Sequence, residues 1–138
     1  MKKNEDVAKG WIIKAENDII NLTLMMESGI ALDTACFHAQ QAAEKYLKAF
    51  LCFNNIAFPK THNIDRLLSL CAMVDKQFSD LVSETIFLTD YAVELRYDLD
   101  FYPEDDEVET SLKMVNKIKS LVLSLLPETF MIKEEADK

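Results

Sequence analysis

Phe37-His38-Ala39-Gln40-Gln41-Ala42-Ala43-Glu44-Lys45-Tyr46-Leu47-Lys48-Ala49-Phe50-Leu51 decides how this chain folds. The stretch has no glycine or proline, and its alanines and leucines make it a strong helix former. Within it His38, Gln41, Lys45 and Lys48 recur at spacings of three, four and three. Such spacings bring side chains onto one face of a helix. The residues therefore predict a helix that carries an apolar side together with an ordered polar stripe. That stripe is a candidate face for a ligand or a partner.

The neighbouring segments read the same way. Over residues 5–27, Trp11, Ala15, Ile19, Leu22 and Met26 repeat at helical spacing, with Val7 and Ile12 alongside. Gly29 is suited to end that helix in a left-handed cap. Asp33 or Thr34 is positioned to cap the second helix, which runs to about Asn54. Asn54-Asn55 and Pro59 mark a loop, and Thr61 is the expected cap of a shorter third helix bearing Ile64, Leu67, Leu68, Cys71 and Val74. A fourth helix is expected from Ser79, with Leu81, Leu88, Ala92 and Leu95 on its core face. Pro103 restarts the chain at the first turn of a fifth, striped by Val108, Leu112, Val115, Ile118, Val122 and Leu125 and stopped by Pro127. The fold class that follows is all-α, an antiparallel up-and-down bundle of four to five helices. It forms one domain over residues 5–127, followed by a charged tail over 128–138. No internal repeat or low-complexity segment interrupts it.

Bulk composition narrows the function. At 138 residues and 49% hydrophobic content the chain can bury a core of its own. No run of about eighteen apolar residues occurs, so no membrane span is expected. The acidic start lacks an apolar signal core. Cys36, Cys52 and Cys71 are odd in number and lack metal-ligand spacing, which fits reduced packing residues in a cytoplasmic protein. The formal net charge of −9 falls entirely within residues 61–138. Nonspecific nucleic-acid binders draw their affinity from basic patches, so general coating of RNA or DNA is disfavoured while a small local basic site is not.

With Phe37-His38-Ala39-Gln40-Gln41-Ala42-Ala43-Glu44-Lys45, then Thr61-His62-Asn63-Ile64 and later Arg96-Tyr97, the chain resembles the HEPN domain family of prokaryotes. Trp11 and Ala15-Glu16-Asn17-Asp18 fit the family's opening helix, and the likeness spans about Trp11 to Leu126. The resemblance implies a helical bundle, a homodimer, binding of nucleotide or RNA, and pairing with a minimal nucleotidyltransferase in a toxin–antitoxin couple. It also implies an alternative, a metal-independent RNase toxin. Family RNases place a His four to six residues after an Arg; here Tyr97-Asp98-Leu99-Asp100-Phe101-Tyr102-Pro103 follows Arg96, and no His occurs after His62. An RNase would need a substitute base, since imidazole titrates near neutrality and tyrosine near pH 10. A third reading is a non-catalytic structural or regulatory subunit.

The ligand-binding candidates are His38, Gln41, Lys45, Lys48, His62, Arg96 and Tyr97, with Arg96 the catalytic candidate if the chain is an RNase. Each has a plainer role beside the functional one. His38 can hydrogen-bond a neighbouring helix. Glu44 and Lys48 stand four apart in the favourable order, which stabilises a helix by ~0.2–0.5 kcal/mol. Lys45 and Lys48 suit either an ion-paired network or a phosphate. His62 can lock the entry of the third helix, or join first-turn amides in holding an anion. Arg96, amid Glu94, Asp98 and Asp100, suits a salt bridge or a phosphate. Glu104-Asp105-Asp106-Glu107 sits where a helix dipole favours acids, and it lacks the pattern of a calcium loop. No cofactor or metal is expected.

Overall fold

The computed structural model describes residues 3–91 and 95–130, and for Ile86 and Arg96 the backbone alone. Five α-helices follow in order: α1 (Asn4–Ser28), α2 (Leu32–Phe53), α3 (Ile64–Ala72), α4 (Val82–Thr85) and α5 (Asp105–Ser124). Segments of 3₁₀ helix fill Lys76–Leu81, Ile86–Tyr91, Leu95–Tyr97 and Glu128–Phe130. The described residues contain no strand, and the all-α bundle expected from the sequence is the architecture observed.

α2 is the axis of the bundle. Ala35, Cys36, Ala39, Ala42, Ala43, Tyr46, Leu47, Ala49, Phe50 and Leu51 are all buried, because α1, α3 and α5 each pack against it. Its alanines and those of α1, Ala8 and Ala15, let the two longest helices lie side by side along most of their length. α1 ends where glycine was expected to end it. Gly29 has φ 69°, and its N–H donates to the Met25 carbonyl at 2.8 Å.

Four local expectations are corrected. α2 is entered from Ala31 in the left-handed region, φ 53°, so Asp33 lies in the first turn instead of capping the helix. α3 is capped by Asn63, whose side chain accepts from the Arg66 N–H at 3.1 Å. Thr61 instead accepts from the Asn63 N–H and shapes the preceding turn. The continuous fourth helix from Ser79 is a chain of 3₁₀ turns around a single α-turn. Its buried residues Thr85, Leu88 and Tyr91 recur every three positions, the 3₁₀ period. Val82, Ser83, Thr85, Ile86 and Thr89 are β-branched or hydroxylic and favour helix weakly, and Thr85 back-bonds to the Leu81 carbonyl at 2.8 Å. Ala92 lies outside the described residues. Finally, Pro103 precedes the cap of α5, Glu104, and is not in its first turn.

The rest of α5 follows its stripe, with Val108, Val115, Ile118 and Val122 buried and Leu112 and Leu125 half-buried. Packing continues past Pro127. Phe130 is buried, and its ring meets Phe53 edge-on at 5.4 Å. Lys133–Lys138 lie outside the described residues. The three cysteines are free. Burial pushes the Cys36 thiol up to about 11 and that of Cys71 further, as expected of packing residues. Among the described residues no helix is long and apolar enough to cross a membrane.

Candidate functional site

The polar stripe of α2 faces α1 and the loop before α3, and it divides into two carboxylate-centred clusters. In the first, Asp18 of α1 takes His38 and Lys45 together. His38 Nδ1 lies 2.8 Å from Asp18 Oδ1, and the Lys45 ammonium donates to Oδ2 at 2.6 Å. Burial alone would raise the Asp18 pKa, but hydrogen bonds from His38 and Lys45, with the Lys45 charge, outweigh it. The carboxyl is held below its ordinary value and stays ionised.

The second cluster centres on Glu44, whose side chain is only 6% exposed. Lys48 donates to one oxygen at 2.9 Å; His62 Nδ1 (2.9 Å) and the Gln40 amide (3.1 Å) meet the other. The same Gln40 amide donates to the His62 carbonyl at 3.0 Å, and Gln40 accepts from Gln41 at 2.7 Å. His62 is thus tied to α2 at both backbone and ring, which fixes the chain entering α3. Its ring nevertheless remains 58% exposed. A third tie lies further along α1, where Glu16 accepts from the Tyr46 hydroxyl and from Lys119 of α5.

His38, Gln41, Lys45, Lys48 and His62 therefore belong to one polar seam. Tyr97 does not; it is exposed on the Leu95–Tyr97 turn. The side chain of Arg96 lies outside the described residues. Asp18, Gln40 and Glu44 are members of the two clusters that the sequence candidates omit, Glu44 being read there only as a helix partner of Lys48. Asp18 had a readable signal, since it sits three residues after Ala15 and four before Leu22, on the buried side of α1. Gln40 had none, because its importance depends on the carbonyl of a residue 22 positions away.

Next to the Glu44 cluster a cleft of about 480 Å³ opens between Trp11, Lys48, Phe58, Pro59, Lys60, Thr61 and His62. The Lys48 ammonium lies between two rings, 5.5 Å from the Trp11 centroid and 5.8 Å from that of Phe58. Two lysines, an imidazole and two aromatic faces converge, and none of these lining residues is acidic. Phosphate charge and a flat aromatic base are the chemistry such a lining accommodates. Among the described residues no group of three or more His, Cys, Asp or Glu is arranged to hold a metal.

Comparison with known proteins agrees with the fold. The family model for the HEPN domain matches residues 8–125. The crystal structure of an archaeal HEPN homologue matches with a TM-score of 0.67 and 26% identity, covering 90% of this chain and 98% of that one. A search of curated proteins found no match.

Proposed function

The chain belongs to the HEPN domain family, and we propose that it is a binding module that takes a nucleotide or an RNA phosphate in the Trp11–Lys48–His62 cleft. The observation that carries this reading is a cleft lined by two lysines, an imidazole and two aromatic rings, its nearest carboxylate, Glu44, buried and held by Lys48 and His62, on a protein of net charge −9. Such a lining selects an anion locally against the field of the whole molecule. Glu44 fixes Lys48 and the His62 ring in place, so their orientation is set before a ligand arrives, which lowers the entropy cost of binding. Lys60 is exposed at the rim and supplies a mobile second ammonium. Thr61 adds a hydroxyl, and Trp11 and Phe58 offer faces on which a base can stack. A module that presents a bound nucleotide is also what a nucleotidyltransferase partner would act upon, in keeping with the toxin–antitoxin pairing that the family resemblance implies.

Trp11 is the chain's single tryptophan, so its fluorescence reports on the cleft without labelling. Titration with AMP, ATP and a short single-stranded RNA is expected to change Trp11 emission to saturation. Lys60→Ala should weaken binding roughly five- to tenfold, the loss of one charge-assisted phosphate contact. Flat titrations with all three ligands would overturn the proposal. Saturable binding unaffected by Lys60→Ala or His62→Ala would place the ligand elsewhere. Analysis of the RNA after incubation tests the RNase alternative in the same tubes, since cleavage without metal that is lost in Arg96→Ala would establish it.

A further inference from the structure

The Trp11–Lys48–His62 cleft holds a histidine whose ring hydrogen is placed by its neighbours. Glu44 is a carboxylate engaged by the Lys48 ammonium at 2.9 Å, and a carboxylate only accepts hydrogen bonds. The His62 nitrogen that meets it, Nδ1 at 2.9 Å, must therefore carry a hydrogen. The same Glu44 oxygen accepts from the Gln40 amide, which also donates to the His62 carbonyl and so pins the backbone that carries the ring. In the neutral ring this leaves Nε2 as a bare acceptor. The ring lines the cleft and is 58% exposed, and no described residue bonds its Nε2. A phosphate oxygen arriving at that nitrogen meets a lone pair unless a proton arrives with it.

We propose that the cleft takes a terminal phosphate, a doubly charged monoester, together with one proton from solvent that lodges on His62 Nε2, a reading that rests on this cleft being the ligand site. Charge points the same way. Lys48 and Lys60 against Glu44 leave the cleft one net positive charge while the ring is neutral, and two once it is an imidazolium. A phosphodiester carries one negative charge, and a terminal phosphate close to two at neutral pH. The lysines alone therefore balance a diester, and only the imidazolium balances a monoester. The other ionisable groups nearby leave that count unchanged. From α1 the cleft receives Trp11, which does not titrate; Asp6 and Lys14 border Trp11 in a separate hollow. Asp65 and Arg66, next along α3, do not line the cleft. Of the groups that do, imidazole is the type that changes charge near neutrality. An imidazolium donates at both nitrogens, so His62 keeps its bond to Glu44 through Nδ1 while Nε2–H turns from acceptor to donor for the phosphate. The proton comes from the buffer, one N–H bond forms, and no bond of the ligand breaks.

Isothermal titration calorimetry on the full chain, run at about pH 7.5 in HEPES and again in Tris, counts the proton, because the observed heat includes the ionisation of whichever buffer supplies it. The probes are AMP and its phosphate methyl ester, in which the monoester has become a diester. AMP is expected to bind with uptake of roughly 0.5–1 proton, and the methyl ester with close to none. Between about pH 7.5 and 8.5 the AMP dissociation constant should rise roughly five- to tenfold, the slope of one linked proton, while that of the ester stays within about twofold. His62→Asn keeps an amide donor for Glu44 and deletes Nε2. It should bind AMP roughly five- to tenfold more weakly, with neither proton uptake nor a pH slope. That variant also separates the proton on the ring from one taken up by AMP itself. AMP binding without proton uptake, or with an uptake that persists in His62→Asn, would overturn the proton-coupled site and leave the cleft as a ligand site. Absence of binding by both probes at both pH values overturns the ligand site and the coupling with it. Nitrogen NMR of the free protein reads the tautomer before any ligand is added, with His62→Asn distinguishing His62 from His38. A neutral His62 ring carrying its hydrogen on Nε2 would remove the need for a proton and overturn the coupling alone.

Discussion

At the residue scale, Asp18 and Glu44 organise most of the polar contacts between α1, α2 and the loop before α3. Each is a nearly buried carboxylate whose two oxygens are both engaged. Taking an acid out of water is costly unless its partners replace the lost hydration, and here each carboxylate receives a lysine and meets an imidazole. Removal of one partner is therefore worse than replacement of the whole cluster by apolar groups. Asp18→Asn keeps the shape and removes the charge, leaving Lys45 and His38 facing an amide. The expected loss is about 2 kcal/mol at neutral pH, below the value for a fully buried pair because Lys45 and His38 retain partial exposure. The pH dependence has a definite sign. The folded pKa of Asp18 lies below the ordinary 3.8, so its contribution is complete above that value. It is lost as pH falls through the folded pKa, because protonation is easier in the unfolded chain. Urea melts at a series of acidic pH values should show a steep acid limb in the wild type and a flatter one in Asp18→Asn. Equal acid limbs would remove Asp18 from the account.

At the element scale, legibility followed periodicity. α1, α2 and α5 were readable because each is long, with apolar residues at helical spacing and few breakers. α2 was also readable as a polar stripe, but its residues gave no sign that the stripe splits between two carboxylates on different elements. The continuous fourth helix expected from Ser79 is absent among the described residues up to Tyr91 for a physical reason. Leu81 and Leu88 fit a seven-residue spacing, yet the intervening hydroxyl and β-branched residues favour local turns, and burial at 85, 88 and 91 repeats every three. The α3 cap was missed by two residues because Thr61 and Asn63 are both good caps, and only the backbone decides which hydroxyl or amide faces the open N–H groups. That choice is measurable. Asn63→Ala should cost about 1 kcal/mol, the usual worth of a side-chain cap, while Thr61→Ala should cost less than half as much. Thermal or urea denaturation of the two variants would separate them, and the reverse order would return the cap to Thr61.

At the scale of the whole molecule, the bundle is closed by side chains from opposite ends of the sequence. Lys119 of α5 reaches Glu16 of α1, which also holds Tyr46 of α2, so one carboxylate joins three helices. At the other end Phe130 packs on Phe53 at the C-terminus of α2 and lies under the Lys9 ammonium of α1, 5.5 Å from its ring centroid. The burial of Phe130 has no signal in the sequence, because a lone phenylalanine in a charged segment has no periodicity to reveal it. The structure makes Phe130 a plug between the ends of α1 and α2. A buried phenylalanine cut to alanine loses its transfer energy and leaves a void, so Phe130→Ala should destabilise the protein by about 3 kcal/mol. Lys9→Ala, which removes only an exposed cation over the ring, should cost under ~1 kcal/mol. Urea unfolding of both variants provides the comparison, and an unchanged slope would confirm that the unfolding unit is the same. Near-wild-type stability of Phe130→Ala would end the packed unit at Pro127, and a drop of the expected size carries it through Phe130.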